Sequence, residues 1–324
     1  MKRRNLFLAL AAMCATPLVC AQQRRKLPRV AVMTSPPLPN PLAEAFRRGM
    51  RELDYVEGQS VEFDFRSAEG RPERFPSLAA DVVKTSPDVI VSGGGTASAR
   101  AAMRATKTIP IVFPASGDPV GEGLVQSLSR PGSNATGFSI NSLEVSGKRV
   151  QLIKELIPRV KRVAIFQDPV LRSGVDQIGA TEEAARGLGI QIMVLSPSRP
   201  EDYESNYATA KTAGANALIV LPSSSFNANR KKLIPLSAQH GLPTIWENRL
   251  FSEDGGLISY GVDIVDLYRA AARYVDKLLK GAKPADLPVE RASRFELVIN
   301  LKAARAQGVT IPPSLLVRAD QIIE

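Results

Sequence analysis

The chain repeats itself at a fixed offset, and this repeat constrains the fold more than any other feature. Arg29-Val30-Ala31-Val32-Met33 returns as Arg162-Val163-Ala164-Ile165-Phe166. Ile109-Pro110-Ile111-Val112-Phe113 returns as Leu242-Pro243-Thr244-Ile245-Trp246. Arg29 and Pro110 stand 81 positions apart, and so do Arg162 and Pro243. Between these anchors each half holds two more extended runs, 61–66 and 88–92 in the first, 190–195 and 217–221 in the second. Most are short, continuous and rich in Val and Ile, as strands buried on both faces require. Helical patterns separate them, at 42–53, 75–84 and 96–106, then at 176–188, 203–213 and 229–240. Such alternation implies parallel strands, right-handed crossovers and helices on both faces of each sheet. The expected architecture is α/β, with two similar doubly wound, Rossmann-like lobes.

Two segments stand outside the repeat. Beyond the second copy, residues 263–281 read as a helix with Asp263 as its cap and Leu267, Ala271, Tyr274 and Leu278 as its apolar stripe. An extended run at 295–300 and a short helix follow. With no low-complexity linker present, two equal lobes plus such a tail imply several short crossings as the hinge. At the other end, Lys2, Arg3 and Arg4 precede an apolar run from Leu6 to Val19, shorter than the roughly 20 residues a membrane span needs. Residues 1–21 are therefore expected to be a cleaved export signal, with the mature chain starting at Gln22 and working in the periplasm.

Charge and composition exclude several classes. The net charge of +10 includes three basic residues of that signal, which leaves +7 on the remainder. Its Lys and Arg are scattered among acids, with no aromatic-interleaved basic stripe, so no nucleic-acid partner is expected. Both cysteines, Cys14 and Cys20, fall inside the signal, and His240 is the single histidine. Disulfide scaffolds, thiol nucleophiles and Cys/His metal sites are thereby ruled out for the mature chain. No cofactor or metal is expected.

Ligands of open α/β sheets bind beyond the carboxyl ends of the strands, so two facing lobes make one cleft. In the first lobe this selects Ser35, Gly94, Gly95, Thr96, Ser116 and Asp118, and in the second Asp168, Ser223, Ser224, Trp246 and Glu247. Gly93–Thr96 follows a strand and opens a helix, an arrangement that points backbone amides at an anion. Its spacing does not match a dinucleotide loop. Asp118 precedes Pro119 and fits a helix cap as well as a cleft wall. Trp246 fits a stacking platform or a core filler. Glu247 fits a partner for a ligand ammonium group or a solvated rim carboxylate. These side chains offer no evident acid–base pair, and there is no Gly-x-Ser-x-Gly elbow of a hydrolase.

At these segments the chain closely resembles the ABC-transporter substrate-binding protein family whose named members include binders of tryptophan and other aromatic amino acids. The matching stretches include FRRGMRELDYVEG at 46–58, DPVGEGL at 118–124, RPGSNATG at 130–137, SGKRVQLIKELIP at 146–158, GGLISYG at 255–261 and FELVINLKAARAQGVTIPPSLLVRAD at 295–320. The resemblance implies a type I periplasmic binding protein whose two lobes, joined by three crossings, close on a ligand and deliver it to a permease in the inner membrane. It implies a binder rather than an enzyme, acting as a monomer. The first lobe is expected to comprise 28–140 plus about 262–288, and the second 141–261 plus about 289–324. Two departures stand out. The aromatic amino acid binders read Gly-Glu-Ala-Asn-Ser and Pro-x-Asp-Asn where this chain reads Val170-Leu171-Arg172-Ser173-Gly174 and Pro222-Ser223-Ser224-Ser225. A sensory protein that presents its closed form to a membrane receptor shares the same cleft and is the alternative reading.

Overall fold

The computed structural model describes residues 27–140 and 143–324. Residues 1–21, expected to be an export signal, and Gln22 lie outside the described residues, and Cys14 and Cys20 with them. The first half forms β1 (Arg29–Thr34), α1 (Pro41–Arg51), β2 (Glu62–Ser67), α2 (Phe75–Lys84), β3 (Val89–Gly93), α3 (Gly95–Ala105), β4 (Ile111–Ser116) and β5 (Ala135–Ser139). After α4 (Leu143–Leu156) the order recurs as β6 (Arg162–Phe166), α5 (Ser173–Gly187), β7 (Gln191–Leu195), α6 (Tyr203–Thr212) and β8 (Ala217–Val220). It continues through α7 (Ser224–Ala228), α8 (Arg230–Gln239), β9 (Thr244–Trp246), α9 (Arg249–Glu253) and β10 (Ile258–Val262). The tail adds α10 (Ile264–Leu279), β11 (Glu290–Arg291), β12 (Phe295–Asn300), α11 (Leu301–Ala306), α12 (Pro313–Arg318) and β13 (Gln321–Ile323).

The strands build two sheets with matching order, β11-β5-β4-β3-β1-β2 and β13-β12-β10-β9-β8-β6-β7. Pairing is parallel except between β10 and β12. Alternate residues of one strand feed opposite faces, because strand side chains have a period of two. Val30 and Val32 of β1 pack under α1 and α10 with Phe46 and Tyr268, while Ala31 and Met33 meet Phe75, Ala99 and Phe113. In the second sheet Val163 and Ile165 join the core with α4, whereas Ala164 and Phe166 join Tyr207, Leu233 and Trp246. Each lobe is thus a sheet with apolar layers on both sides.

The ends of the helices follow from local chemistry. Asn40 caps α1, its Oδ1 accepting from Ala43 N at 2.9 Å, with Pro41 at the first helical position. Asp263 caps α10 as its position suggests, Oδ1 accepting from Asp266 N at 3.0 Å. That helix packs against α1, so the chain returns to the first lobe after β10. The chain passes between the sheets three times: from β5 to α4, from β10 to α10, and from β11 to β12. One boundary differs from the sequence expectation at 289. Glu290 and Arg291 pair with Phe138 and Ser139 as an edge strand of the first sheet, so the last crossing falls at 292–294.

Candidate ligand cleft

Both sheets reverse their strand order at the first strand of each repeat, β1 between β2 and β3 and β6 between β7 and β8. Carboxyl ends at such a reversal leave a crevice. The two crevices face each other around a cavity of ≈ 60 Å³ whose wall draws on both lobes. Ser35, Gly95, Thr96 and Gly117 line it from the first lobe, and Ser173, Gln177, Ser223, Ser224, Asn227 and Glu247 from the second. Leu42, Ile140, Leu171, Pro222 and Ile264 supply apolar wall, and Tyr268 closes the floor, its hydroxyl donating to Gly93 O.

The lobes touch along both sides of this cavity. On the β1–β2 side, Ser35 Oγ donates to Ser224 O at 3.1 Å and Asn229 Nδ2 to Gly70 O at 3.2 Å. On the β4 side, the Glu122 carboxylate accepts from Arg172 N at 2.8 Å and Ser173 N at 3.2 Å. The start of α5 is therefore already occupied by an anion from the other lobe.

The start of α3 is different. Its cap residue, Gly94, makes no side-chain cap bond, and no acid sits in its first turn. Gly95 adopts φ +67° there, a left-handed conformation that glycine holds without steric cost. The amides of this first turn lack intrahelical acceptors by construction, and the peptide dipoles add positive potential. Across the cavity stands Glu247, 6% exposed, whose Oε1 has no hydrogen-bond partner. Burial pushes this carboxyl up to about 8, opposed by Arg149, by the Ser223 backbone N–H and by Arg230. Arg149 is itself fully enclosed, donating from Nε to Tyr260 O at 2.8 Å and from Nη2 to Glu247 O at 3.3 Å. Burial lowers its guanidinium to about 10, which leaves it charged. Asn227 Nδ2 is a second buried, unpartnered polar atom on the same wall. Both residues line the cavity, and a buried polar group without a partner costs about 1–3 kcal/mol.

Of the residues selected from sequence, Ser35, Gly95, Thr96, Ser223, Ser224 and Glu247 line the cavity. The others do not, for separate reasons. Gly94 is buried one residue behind, against the Phe75 ring. Ser116 is fully buried beneath Thr96 and shares a hydrogen bond with its hydroxyl at 3.0 Å. Asp118 caps a turn rather than the expected helix, with Oδ1 accepting from Val120 N and Gly121 N, and it opens toward outer grooves. Asp168 accepts from Ser223 Oγ at 2.7 Å and so braces a wall residue from outside. Trp246 is the clearest correction. It is 0% exposed and stacks on Phe251 at 4.8 Å, because in β9 Ile245 and Trp246 alternate into opposite layers and both layers are apolar core.

Gln177, Asn227 and Tyr268 were not selected from sequence. They sit inside helices, one turn or more from a strand end, where a search of loops does not reach. The signal available was a lone amide, Gln177, facing inward among small residues of α5. His240 takes no part in the cavity; it ends α8, stacks on Tyr207 and meets Glu204 at 2.8 Å.

Comparison with known proteins agrees with this architecture. Residues 29–323 match the family model described as ABC transporter substrate binding protein. A tyrosine-binding protein of Clostridioides difficile (strain R20291) is 26% identical over 282 residues, covering 86% of this chain and 80% of the relative. A solved structure of a conserved domain protein from Vibrio cholerae is 32% identical, with a TM-score of 0.83 over 92% of this chain and all of that one (100%). An ABC domain in complex with L-Trp from Streptococcus pneumonia is 28% identical, with a TM-score of 0.84 and the same coverage of 92% and 100%. Two α/β lobes enclosing one cleft, with a family match along almost the whole described chain, lead to one assignment: the chain belongs to the ABC transporter substrate-binding protein family.

Proposed function

We propose that this protein is the periplasmic receptor of an ABC importer and that it takes a small, amino-acid-like zwitterion across the cleft. The ligand carboxylate rests on the backbone amides at Gly95 and Thr96. Its ammonium group meets Glu247 on the opposite wall. The observation that carries this reading is one cavity lined both by Glu247, whose Oε1 is buried without a partner, and by the uncapped start of α3. Each end of a zwitterion supplies what the facing wall lacks, and charge-assisted bonds of this kind are about twice as strong as neutral ones. Relatives named for tyrosine and L-Trp support the amino acid class.

Size narrows the choice. The cavity, at ≈ 60 Å³ and walled by both lobes, suits a ligand of amino acid size rather than a larger one. The closed, liganded form then presents both lobes together to the permease, and the chain acts as a binder, not as an enzyme.

A thermal-shift screen over the L-amino acids and matching monocarboxylates tests the reading. A ligand at 100 times its Kd stabilises by about 2.7 kcal/mol, which the melting curve resolves. Small L-amino acids are expected to raise the melting temperature, and their deaminated analogues to do so less. Equal shifts from both series would remove Glu247 from the account. Periplasmic material is expected to begin at Gln22.

A further inference from the structure

We infer that Glu122 is a closing latch, a positioning residue that sets how firmly the two lobes hold together. Glu122 belongs to the first lobe, in the loop after β4, and its carboxylate is entirely buried (0% side-chain exposure). One oxygen accepts from Arg172 N and Ser173 N, the residues that open α5 in the second lobe. The other pairs with Arg100 of α3. A single acid therefore joins the helix that presents amides to the cleft with the helix that carries Ser173 and Gln177.

The chemistry makes the contact conditional on closure. α5 is a 15-residue helix whose own cap position, Arg172, supplies no side-chain cap bond. Its positive end accepts an anion favourably, and that anion arrives from the other lobe. The seam is tight around it: a Cβ on Gly117 would stand 2.6 Å from Ser173 Oγ. When the lobes part, Arg100 stays with Glu122 because both are on the first lobe, whereas the two amides of α5 lose their acceptor to water. The latch thus biases closed over open without touching a ligand, and ligand affinity follows that bias by population shift.

The test needs no ligand, so a failed ligand screen leaves it standing and its failure leaves the ligand reading standing. Glu122→Ala and Glu122→Gln are compared with the wild type by amide hydrogen exchange, small-angle scattering and the Asn229 side-chain amide signal in NMR. Hydrogen bonds to charged groups predict roughly ten- to hundredfold faster exchange at Arg172 and Ser173 in Glu122→Ala. The latch further predicts a larger radius of gyration, together with lost protection of the Asn229 Nδ2 proton held by Gly70 O on the far seam, the other staying on Ser225 O. Glu122→Gln keeps the shape and one acceptor, so it shifts the same readouts by less and serves if the Ala variant does not fold. Faster exchange at Arg172 and Ser173 alone, with radius and Asn229 unchanged, would reduce Glu122 to a local cap. Fast exchange there in the wild type would overturn the latch outright.

Discussion

The two halves of the repeat end their third strands in opposite ways. After β3 the first lobe places glycine and leaves the start of α3 without a side-chain cap. After β8 the second lobe places Ser223, whose Oγ accepts from Ser225 N at 3.1 Å and Phe226 N at 3.3 Å. The helix start on one side of the cleft therefore has no side-chain cap, and the one on the other side has. The fourth strands differ too. In the first lobe β4 is followed by Gly117 and in the second β9 by Glu247, with a buried arginine behind it. A duplicated scaffold supplies two similar walls, and the residues at the strand ends make them different, with an uncapped helix start on one and a buried acid on the other. Polarity of the site lives in that asymmetry rather than in the fold.

The comparison is broken most severely through the second lobe's core. Trp246→Ala is expected to cost about 3–5 kcal/mol, as for other large aromatic truncations. Urea denaturation reads the loss, and an intact midpoint with weakened ligand binding would return the indole to the cleft. Glu247→Gln is the next largest change, and its sign depends on pH. The Glu247 carboxyl is held near 8 in the folded chain, against an ordinary value of 4.5. Below about 4.5 it is protonated in both states and costs nothing. Between there and about 8 the unfolded chain loses the proton first, so stability falls as pH rises and then levels. The Gln variant should gain on the order of 2 kcal/mol over the wild type at pH 8 and little at pH 4. Melting curves at the two pH values check it; a variant equally shifted at both is outside this account. Glu296, raised to about 7 mainly by burial, bends the wild-type profile in the same direction, so only the difference between the two proteins isolates Glu247.

Smaller changes sharpen the contrast between the two helix starts. Ser223→Ala removes the cap of α7 and the partner of Asp168, at about 1 kcal/mol. Thr96→Val removes a single buried hydroxyl pair with Ser116, at about 0.5–1.5 kcal/mol. Thr96→Val keeps the backbone amide assigned to the ligand carboxylate, so both changes are expected to weaken the fold more than they weaken ligand binding. Calorimetric unfolding and ligand titration on the pair check this. Gly95 is a poor site for such a test, because its left-handed φ strains any side chain there.

Much of this was legible before any coordinates. The 81-residue spacing carried the two lobes, since parallel buried strands announce themselves as short Val/Ile runs at a fixed rhythm. The Asp263 cap and the apolar stripe of α10 were equally plain, though which lobe that helix covers depends on contacts with α1 that sequence does not display. Half of the cleft was readable because strand-end loops are short, with few places for a residue to go. Trp246 was not, because one step along β9 decides between cleft and core and the strand is three residues long. Glu122 was visible only as part of a family-like stretch, and its role depends on a partner 50 residues away in the other lobe.

If Glu247 and the start of α3 hold the two ends of one zwitterion, ligand binding moves a proton. Titration calorimetry at pH 7 tests it most directly, using the small L-amino acid with the largest thermal shift, in buffers of different ionisation enthalpy. Free Glu247 is largely protonated at that pH, and an arriving ammonium group favours its carboxylate. Binding should therefore release roughly one proton, and Glu247→Gln should bind more weakly and release none. Binding heat independent of buffer in the wild type, or proton release that persists in the Gln variant, would contradict the account.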